Sequence, residues 1–257
     1  MFQVHFACQV FTQEMRNLTM STSSILHLAS ENRILSALPR NEYERLLPHL
    51  ERVHLPQSKI IYESGDIIRY AYFPLSGMIS LLSTTEDGET LEVSMVGNEG
   101  VVGVPLAWKA RNLPYRVMVQ LTSDAMRVNA PALLTELRRA GKLEELMLMY
   151  AHSTLVHISQ SAVCGRFHTV EKRLCRWLLV ARDRAKSNNI QLTQEIISHM
   201  LGTPRTVVTT AACNLQDAGL IRYRRGKITI LNPQGLEKSA CECYKVVKKE
   251  LSYSFVA

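Results

Sequence analysis

No apolar run in this sequence approaches the ~20 residues that would span a bilayer, so no membrane-crossing helix is expected. The opening stretch, MFQVHFACQVFTQEM, lacks a basic leader and is interrupted by Gln and His, which makes it a poor secretory signal. Met20 is an alternative start. Cysteine is scarce. Its six positions (8, 164, 175, 213, 241 and 243) show no framework spacing, which excludes a disulfide-stapled scaffold and points to reduced thiols in a cytoplasmic protein. Cys241-x-Cys243 is half of a zinc pattern but lacks the two-residue spacer and a second ligand pair, so no metal site is assigned. The motifs of common enzymes are missing as well: there is no Walker loop, no His-Glu-x-x-His and no nucleophile elbow. No catalytic residue is assigned, and an enzyme is the least expected class.

Charge is present, and it is unevenly placed. The chain of 257 residues carries a net +7. Residues 166–257 hold 16 Lys+Arg against 7 Asp+Glu, whereas residues 1–165 hold 14 against 16. Basic asymmetry of this kind is the electrostatic footprint of phosphate binding.

The basic third contains LTQEIISHMLGTPRTVVTTAACNLQDAGLIRYRRGKITIL, Leu192 to Leu231. Thr193 is placed to cap a helix over Gln194–Leu201, and Gly202 allows a sharp turn. Thr203 before Pro204 reads as an N-cap followed by proline at the first helical position of a second helix, Pro204 to Asp217. Val208, Ala211, Ala212 and Leu215 recur at helical spacing and face inward. Arg205, Thr206, Thr209, Cys213 and Gln216 face outward. Arg matches guanine O6 and N7, Thr the thymine methyl and Gln adenine, so this face suits base edges in a major groove. Leu220–Tyr223 and Lys227–Leu231 read as strands joined by a basic tip, Arg224-Arg225-Gly226. The pattern is a winged helix-turn-helix. Arg205, Thr206, Thr209 and Gln216 are the candidate base readers. Thr193, Thr203, Arg222, Arg224, Arg225 and Lys227 are the candidate phosphate contacts.

Upstream, residues 21–54 read as helical, broken at Pro39 and Pro48. Between Val53 and Val128 short apolar segments alternate with turn signals every 9 to 12 residues, Asp87-Gly88 being the clearest, which argues an antiparallel barrel or sandwich. The strands are expected at Lys59–Tyr62, Tyr70–Phe73, Met78–Ser83, Thr90–Val96, Arg116–Leu121 and Ala125–Asn129. Such a barrel fills its interior or holds one small ligand. Glu99, Gly100 and Arg116 are the candidate effector residues, with barrel-corner glycines the plainer alternative. A long helix follows over Lys142–Val163, where Leu143, Met147, Tyr150, Thr154, His157 and Ser161 form a heptad-like seam suited to pairing with its own copy. Cys164-Gly165-Arg166 is expected to end it as a hinge. Val170–Lys186 reads as an amphipathic helix with Arg173, Arg176, Arg182 and Arg184 outside, and Pro233–Leu251 as one closing helix.

The order of barrel, seam helix, hinge and winged helix-turn-helix resembles the Crp/Fnr family of bacterial transcription regulators. The local match lies in Leu201-Gly202, Arg205, Val208, Leu215, Gly219-Leu220-Ile221 and Gly226. The tail Ser239–Tyr244, SACECY, is similar to one subgroup. The resemblance implies an α+β chain in four parts. These are an N-terminal extension (1–30, expected to be disordered), a cyclic-nucleotide-binding-like jelly-roll sensor (31–141), a dimerisation helix and hinge (142–164) and a winged helix-turn-helix (165–257). It also implies a homodimer on a palindromic double-stranded DNA site, with RNA polymerase as a further partner and no membrane association. Members that bind cyclic AMP carry Gly-Glu-Leu and then Arg-Ser. Here these are Asn98-Glu99-Gly100-Val101 and Arg116-Val117, which speaks against cyclic AMP binding of the usual kind. Glu99 and Arg116 are either relics or contacts for a different small effector, and no cofactor is assigned. Oxygen-sensing members carry an N-terminal cysteine cluster, and only Cys8 lies there. The alternative reading is a nucleotide-sensing module that acts on a protein partner.

Overall fold

The computed structural model describes residues 31–253, so the expected disorder of 1–30 and Cys8 lie outside the described residues. Two short helices lead in, α1 (Arg33–Ser36) and α2 (Arg40–Leu46), with a 3-10 turn at Leu47–His49. Asn32 caps α1 by accepting from the Ile34 and Leu35 amides, and its own amide donates to Pro74 O and Gly100 O (both 2.9 Å), tying the lead-in to the first domain. The expectation of helix through residue 54 fails at its end. Glu51–Leu55 is strand β1, because Pro48 stops the helix and only Leu55 of ERVHL is buried.

Six further strands complete this domain: β2 (Ile60–Tyr62), β3 (Tyr70–Pro74), β4 (Met78–Thr84), β5 (Thr90–Val96), β6 (Arg116–Leu121) and β7 (Ser123–Asn129). They form two antiparallel sheets, β1-β7-β3 and β2-β6-β4-β5, an open jelly roll rather than a closed barrel. Phe73, Ile79, Val117, Val119, Ala125 and Val128 are fully buried in its core. The Asp87-Gly88 turn joins β4 to β5, with Gly88 at φ +87°.

α3 (Ala130–Leu137) is capped by Asn129 and leads into α4 (Lys142–Phe167), a helix of 26 residues. Cys164-Gly165-Arg166 therefore does not end the long helix, which closes at His168, whose amide donates to Cys164 O (3.2 Å). The seam expectation is also corrected. Leu143, Met147, Tyr150, Thr154 and His157 are buried within the chain itself, and Ser161 is half-buried. The apolar stripe exists, but the first domain and the C-terminal helix pack against α4. The bare face of α4 is a second stripe, where Leu148, Leu155, Val163 and Phe167 are exposed, Leu155 at 61%.

α5 (Val170–Ala185) starts at the Thr169 cap, and a short strand, β8 (Asn189–Gln191), follows it. Ile190 is buried and β8 pairs with β10, which makes the wing three-stranded. α6 (Gln194–Leu201) and α7 (Arg205–Asp217) form the helix-turn-helix. The wing hairpin is β9 (Ile221–Arg224) and β10 (Lys227–Ile230). The single closing helix is in fact two, α8 (Pro233–Ser239) and α9 (Cys243–Tyr253), broken where Cys241 turns inward.

Gly100 sets the fit between the jelly roll and α4. A Cβ there would run into the Tyr150 ring, which is itself buried. Gly100→Ala is expected to destabilise the fold by about 1–3 kcal/mol through overpacking, seen as a lower urea midpoint.

Candidate nucleic-acid interface

The helix-turn-helix is built by three local devices. The Thr193 hydroxyl accepts from the Ile196 amide and starts α6 (3.2 Å). Gly202 ends it at φ +54°, a left-handed conformation that glycine adopts without strain. Pro204 then stands at the N-cap of α7, one residue earlier than a first-turn proline, so Thr203 lies outside the helix and caps nothing. Val208, Ala211, Ala212 and Leu215 are buried as expected. Arg205 and Thr206 are exposed at the start of α7, where a recognition helix meets base edges.

Two of the expected base readers are already engaged. Gln216 Oε1 accepts from the Tyr223 amide (2.9 Å) and anchors the wing to α7. Thr209 is half-buried, and its hydroxyl donates to Arg205 O (2.9 Å). Val207 and Thr210 are exposed beside Arg205 and Thr206. Among the phosphate candidates, Arg222, Arg224, Arg225 and Lys227 are all exposed on the wing. Arg225 and Gly226 both have positive φ (49° and 74°) and make the two-residue turn that matches hairpin twist.

The candidate effector residues are not gathered into one site. Gly100 is packed on Tyr150. Arg116 is exposed to solvent in part and pairs with Glu63 (Nε to Oε2, 2.6 Å). Glu99 is buried and accepts from Arg184 Nε (2.7 Å) and from the Gly97 amide (3.1 Å). It therefore faces the DNA-binding unit, not Arg116. A cleft of about 300 Å³ opens beside it, lined among others by Arg33, Asn98, Asp183, Arg184 and Tyr244.

The least expected feature joins the two halves of the molecule. Arg176 and Arg184, expected outside α5, are buried (6% and 4% exposed). Glu92 of β5 is buried with them, accepting from Trp177 Nε1 (2.6 Å) and from the Ser80 hydroxyl. His157 of α4 lies 3.0 Å from the Ser94 hydroxyl. Desolvation pushes the Glu92 carboxyl up to about 7, opposed by its bonds to Ser80 and Trp177 and by the charges of Arg176 and Arg184. Burial first, then the same two arginines, hold His157 well below its ordinary value, so it is neutral. Arg176 Nε and Nη1 and Arg184 Nη1 have no hydrogen-bond partner among the described residues. Met78, Leu82 and Met95 of the jelly roll join one apolar core with Leu178, Ile197 and Leu201, and Arg173 donates to Leu201 O beneath the turn.

Known proteins share this order of domains. A cyclic nucleotide-binding domain model matches residues 52–140, and a Crp-like helix-turn-helix domain model matches residues 172–239. The global nitrogen regulator of Synechocystis sp. is 26% identical over 220 residues, spanning 81% of this chain and 96% of that protein. Its counterpart in Synechococcus elongatus is 24% identical over 224 residues, 82% of this chain and 98% of that protein. The chain joins a cyclic nucleotide-binding domain to a Crp-like helix-turn-helix, the make-up of a Crp/Fnr-type regulator. Solved structures agree on the fold. FixK2 from Bradyrhizobium japonicum superposes with a TM-score of 0.65 at 16% identity, over 75% of this chain and 98% of that one. A Crp/Fnr regulator from Eubacterium rectale gives 0.63 at 17%, over 80% and 96%. This Crp/Fnr-type chain is a transcription regulator with an effector-type domain and a helix-turn-helix, and none of its described helices is long and apolar enough to cross a membrane.

The sequence hid the interdomain contact because β5 runs against the usual alternation. Leu91 is exposed while Glu92, Ser94 and Met95 are buried. The sheet face that carries Glu92 is not a solvent face but the seat of α5. A protonated Glu92 is neutral, and its folded-state value lies above the 4.5 of the free group, so its contribution to docking is full below 4.5 and lost as pH rises through about 7. Over that window the loss is on the order of 3 kcal/mol. Glu92→Gln, the uncharged isostere, is expected to flatten the pH dependence of thermal stability between about pH 5 and 8. A variant that kept the wild-type slope would remove Glu92 as its source.

Proposed function

We propose that this regulator works as a homodimer on a palindromic promoter site in the cytoplasm, with its DNA-binding unit held against the sensor until an effector loosens it. The observation that carries this reading is the pair of exposed basic elements at one end of a buried frame. Arg205 and Thr206 project from the start of α7, and Arg222, Arg224, Arg225 and Lys227 project from the wing. Two-fold symmetry would set two such helices about 34 Å apart, one DNA turn. Arg205 and Thr206 would read bases, assisted by Val207 and Thr210, and the wing arginines with Thr193 and Thr203 would hold the phosphate backbone. RNA polymerase is the further partner of such a promoter-bound dimer.

Pairing would use the bare stripe of α4, Leu148, Leu155, Val163 and Phe167, since the heptad read from the sequence is consumed inside the chain. A small effector entering the cleft beside Glu99 would compete for Arg184 and weaken the sensor's hold on α5. That ligand is not expected to be cyclic AMP bound in the usual way, because Glu99 and Arg116 face different partners.

Selection of bound sequences from random DNA, with and without metabolites, tests the reading. A single enriched palindrome is expected, whereas recovery of no preferred sequence would favour a sensor acting on a protein partner. Arg205→Ala should relax preference at one base position by about 1–3 kcal/mol. Arg225→Ala should weaken all sequences alike and lower the salt slope by about 1. Leu155→Glu should yield monomers in light scattering, with half-site DNA affinity only.

A further inference from the structure

Four potential ligand atoms converge at the far end of α4, outside the features described so far. Cys164 stands on the last turn of α4 and His168 at its C-cap, while Cys241 lies in the break between α8 and α9 and Cys243 opens α9. The three sulfurs are buried and form a small cluster of their own. All four ligand atoms lie within 4.8 Å of one another. We propose that Cys164, His168, Cys241 and Cys243 bind one zinc ion in a tetrahedral Cys3His site that staples the end of the long helix to the C-terminal helix.

The geometry favours an ion over a packed cluster of thiols. Zinc–sulfur bonds of ~2.3 Å and zinc–nitrogen bonds of ~2.0 Å give tetrahedral edges of about 3.8 Å between sulfurs and about 3.5 Å between sulfur and nitrogen. Here Cys164 Sγ and Cys241 Sγ are 3.6 Å apart, and Cys243 Sγ and His168 Nδ1 are 3.4 Å apart. Simple apolar packing of cysteine needs no polar neighbours. This cluster has them. His168 turns its other nitrogen, Nε2, to Glu242 Oε1 at 3.2 Å, the carboxylate contact that orients a metal-bound imidazole. Gln160 Nε2 donates to Cys243 Sγ at 3.2 Å, a bond suited to a thiolate. Three thiolates, one imidazole and Zn2+ carry a net charge of −1. Arg176, whose positive charge bears on Cys164, is buried with guanidinium nitrogens lacking a partner, and it would balance that charge. A cluster of several irons would spread its thiolates over different metal atoms, which this tight spacing does not suit.

On binding, the three cysteines lose their thiol protons to solvent and each sulfur donates a pair to zinc. The ion would span the junction between α4 and the DNA-binding unit, so metal content would set how firmly the two are joined.

Full-length protein purified under reducing conditions and passed through a desalting column should retain about one zinc per chain by plasma mass spectrometry. Replacement with Co2+ should give the intense visible bands of tetrahedral cobalt with a thiolate charge-transfer band. Cys243→Ser and Cys241→Ser should each cut retained zinc about tenfold or more and abolish the cobalt bands, while Cys213→Ser, at an exposed position on α7, should change neither. Circular dichroism checks that the variants are folded. If the serine variants do not fold, His168→Gln, at a half-buried helix end, serves with the same readouts. Wild-type protein without zinc and without a tetrahedral cobalt spectrum would overturn the proposal. So would undiminished zinc in folded cysteine variants, or a Cys164–Cys241 disulfide in protein isolated without reductant.

Discussion

The hydrogen bond from the Trp177 indole to Glu92 is where the two halves of this regulator meet, and the surrounding structure is arranged to make it tenable. A carboxyl group taken out of water costs several kcal/mol unless it is protonated or paired. Here it has an indole, a hydroxyl and two nearby guanidinium groups. The same seam leaves arginine nitrogens without partners, so the docked arrangement is not the best that its groups could achieve. A fully apolar seam would bind the halves more tightly. A half-satisfied polar one costs less to part, because some of its groups gain partners in water.

The long helix is the other shared element. Its inner face packs against Gly100, Ser94 and the jelly-roll core through Tyr150, His157 and Met147. Its outer face carries Leu148 and Leu155 into solvent. Its last turn and C-cap offer Cys164 and His168 to the C-terminal helix. Jelly roll, exposed apolar stripe and C-terminal helix therefore meet on one helix at three separate places.

The DNA-binding unit was legible in the sequence because its signals are local. Thr193, Gly202 and the inward Val208, Ala211, Ala212 and Leu215 each act within a few residues, and the structure keeps all of them. The strands from β2 to β7 were legible because turns recur between alternating runs. What failed was long-range. A heptad reports an apolar stripe but not which surface covers it, so Leu143 to His157 read as a pairing seam when the chain's own domain buries them. Arg176 and Arg184 read as solvent-facing because charge is usually outside, and their carboxylate environment comes from a strand some eighty residues earlier. Cys241-x-Cys243 read as an incomplete ligand pair because its complement stands more than seventy residues away. β1 and β8 are edge strands with one buried residue each, Leu55 and Ile190, so neither shows an apolar run.

The length of α4 has a mechanical meaning. At ~1.5 Å per residue its 26 residues make a rod of about 39 Å. Gly100 packs against its Tyr150 in its first half, and Phe167 marks its far end. A tilt of about 5° at the near end would move the far end by roughly 3 Å, comparable to one base-pair step along DNA. A small shift where the jelly roll meets α4 is thus enlarged, by leverage alone, at the end that adjoins the C-terminal helix.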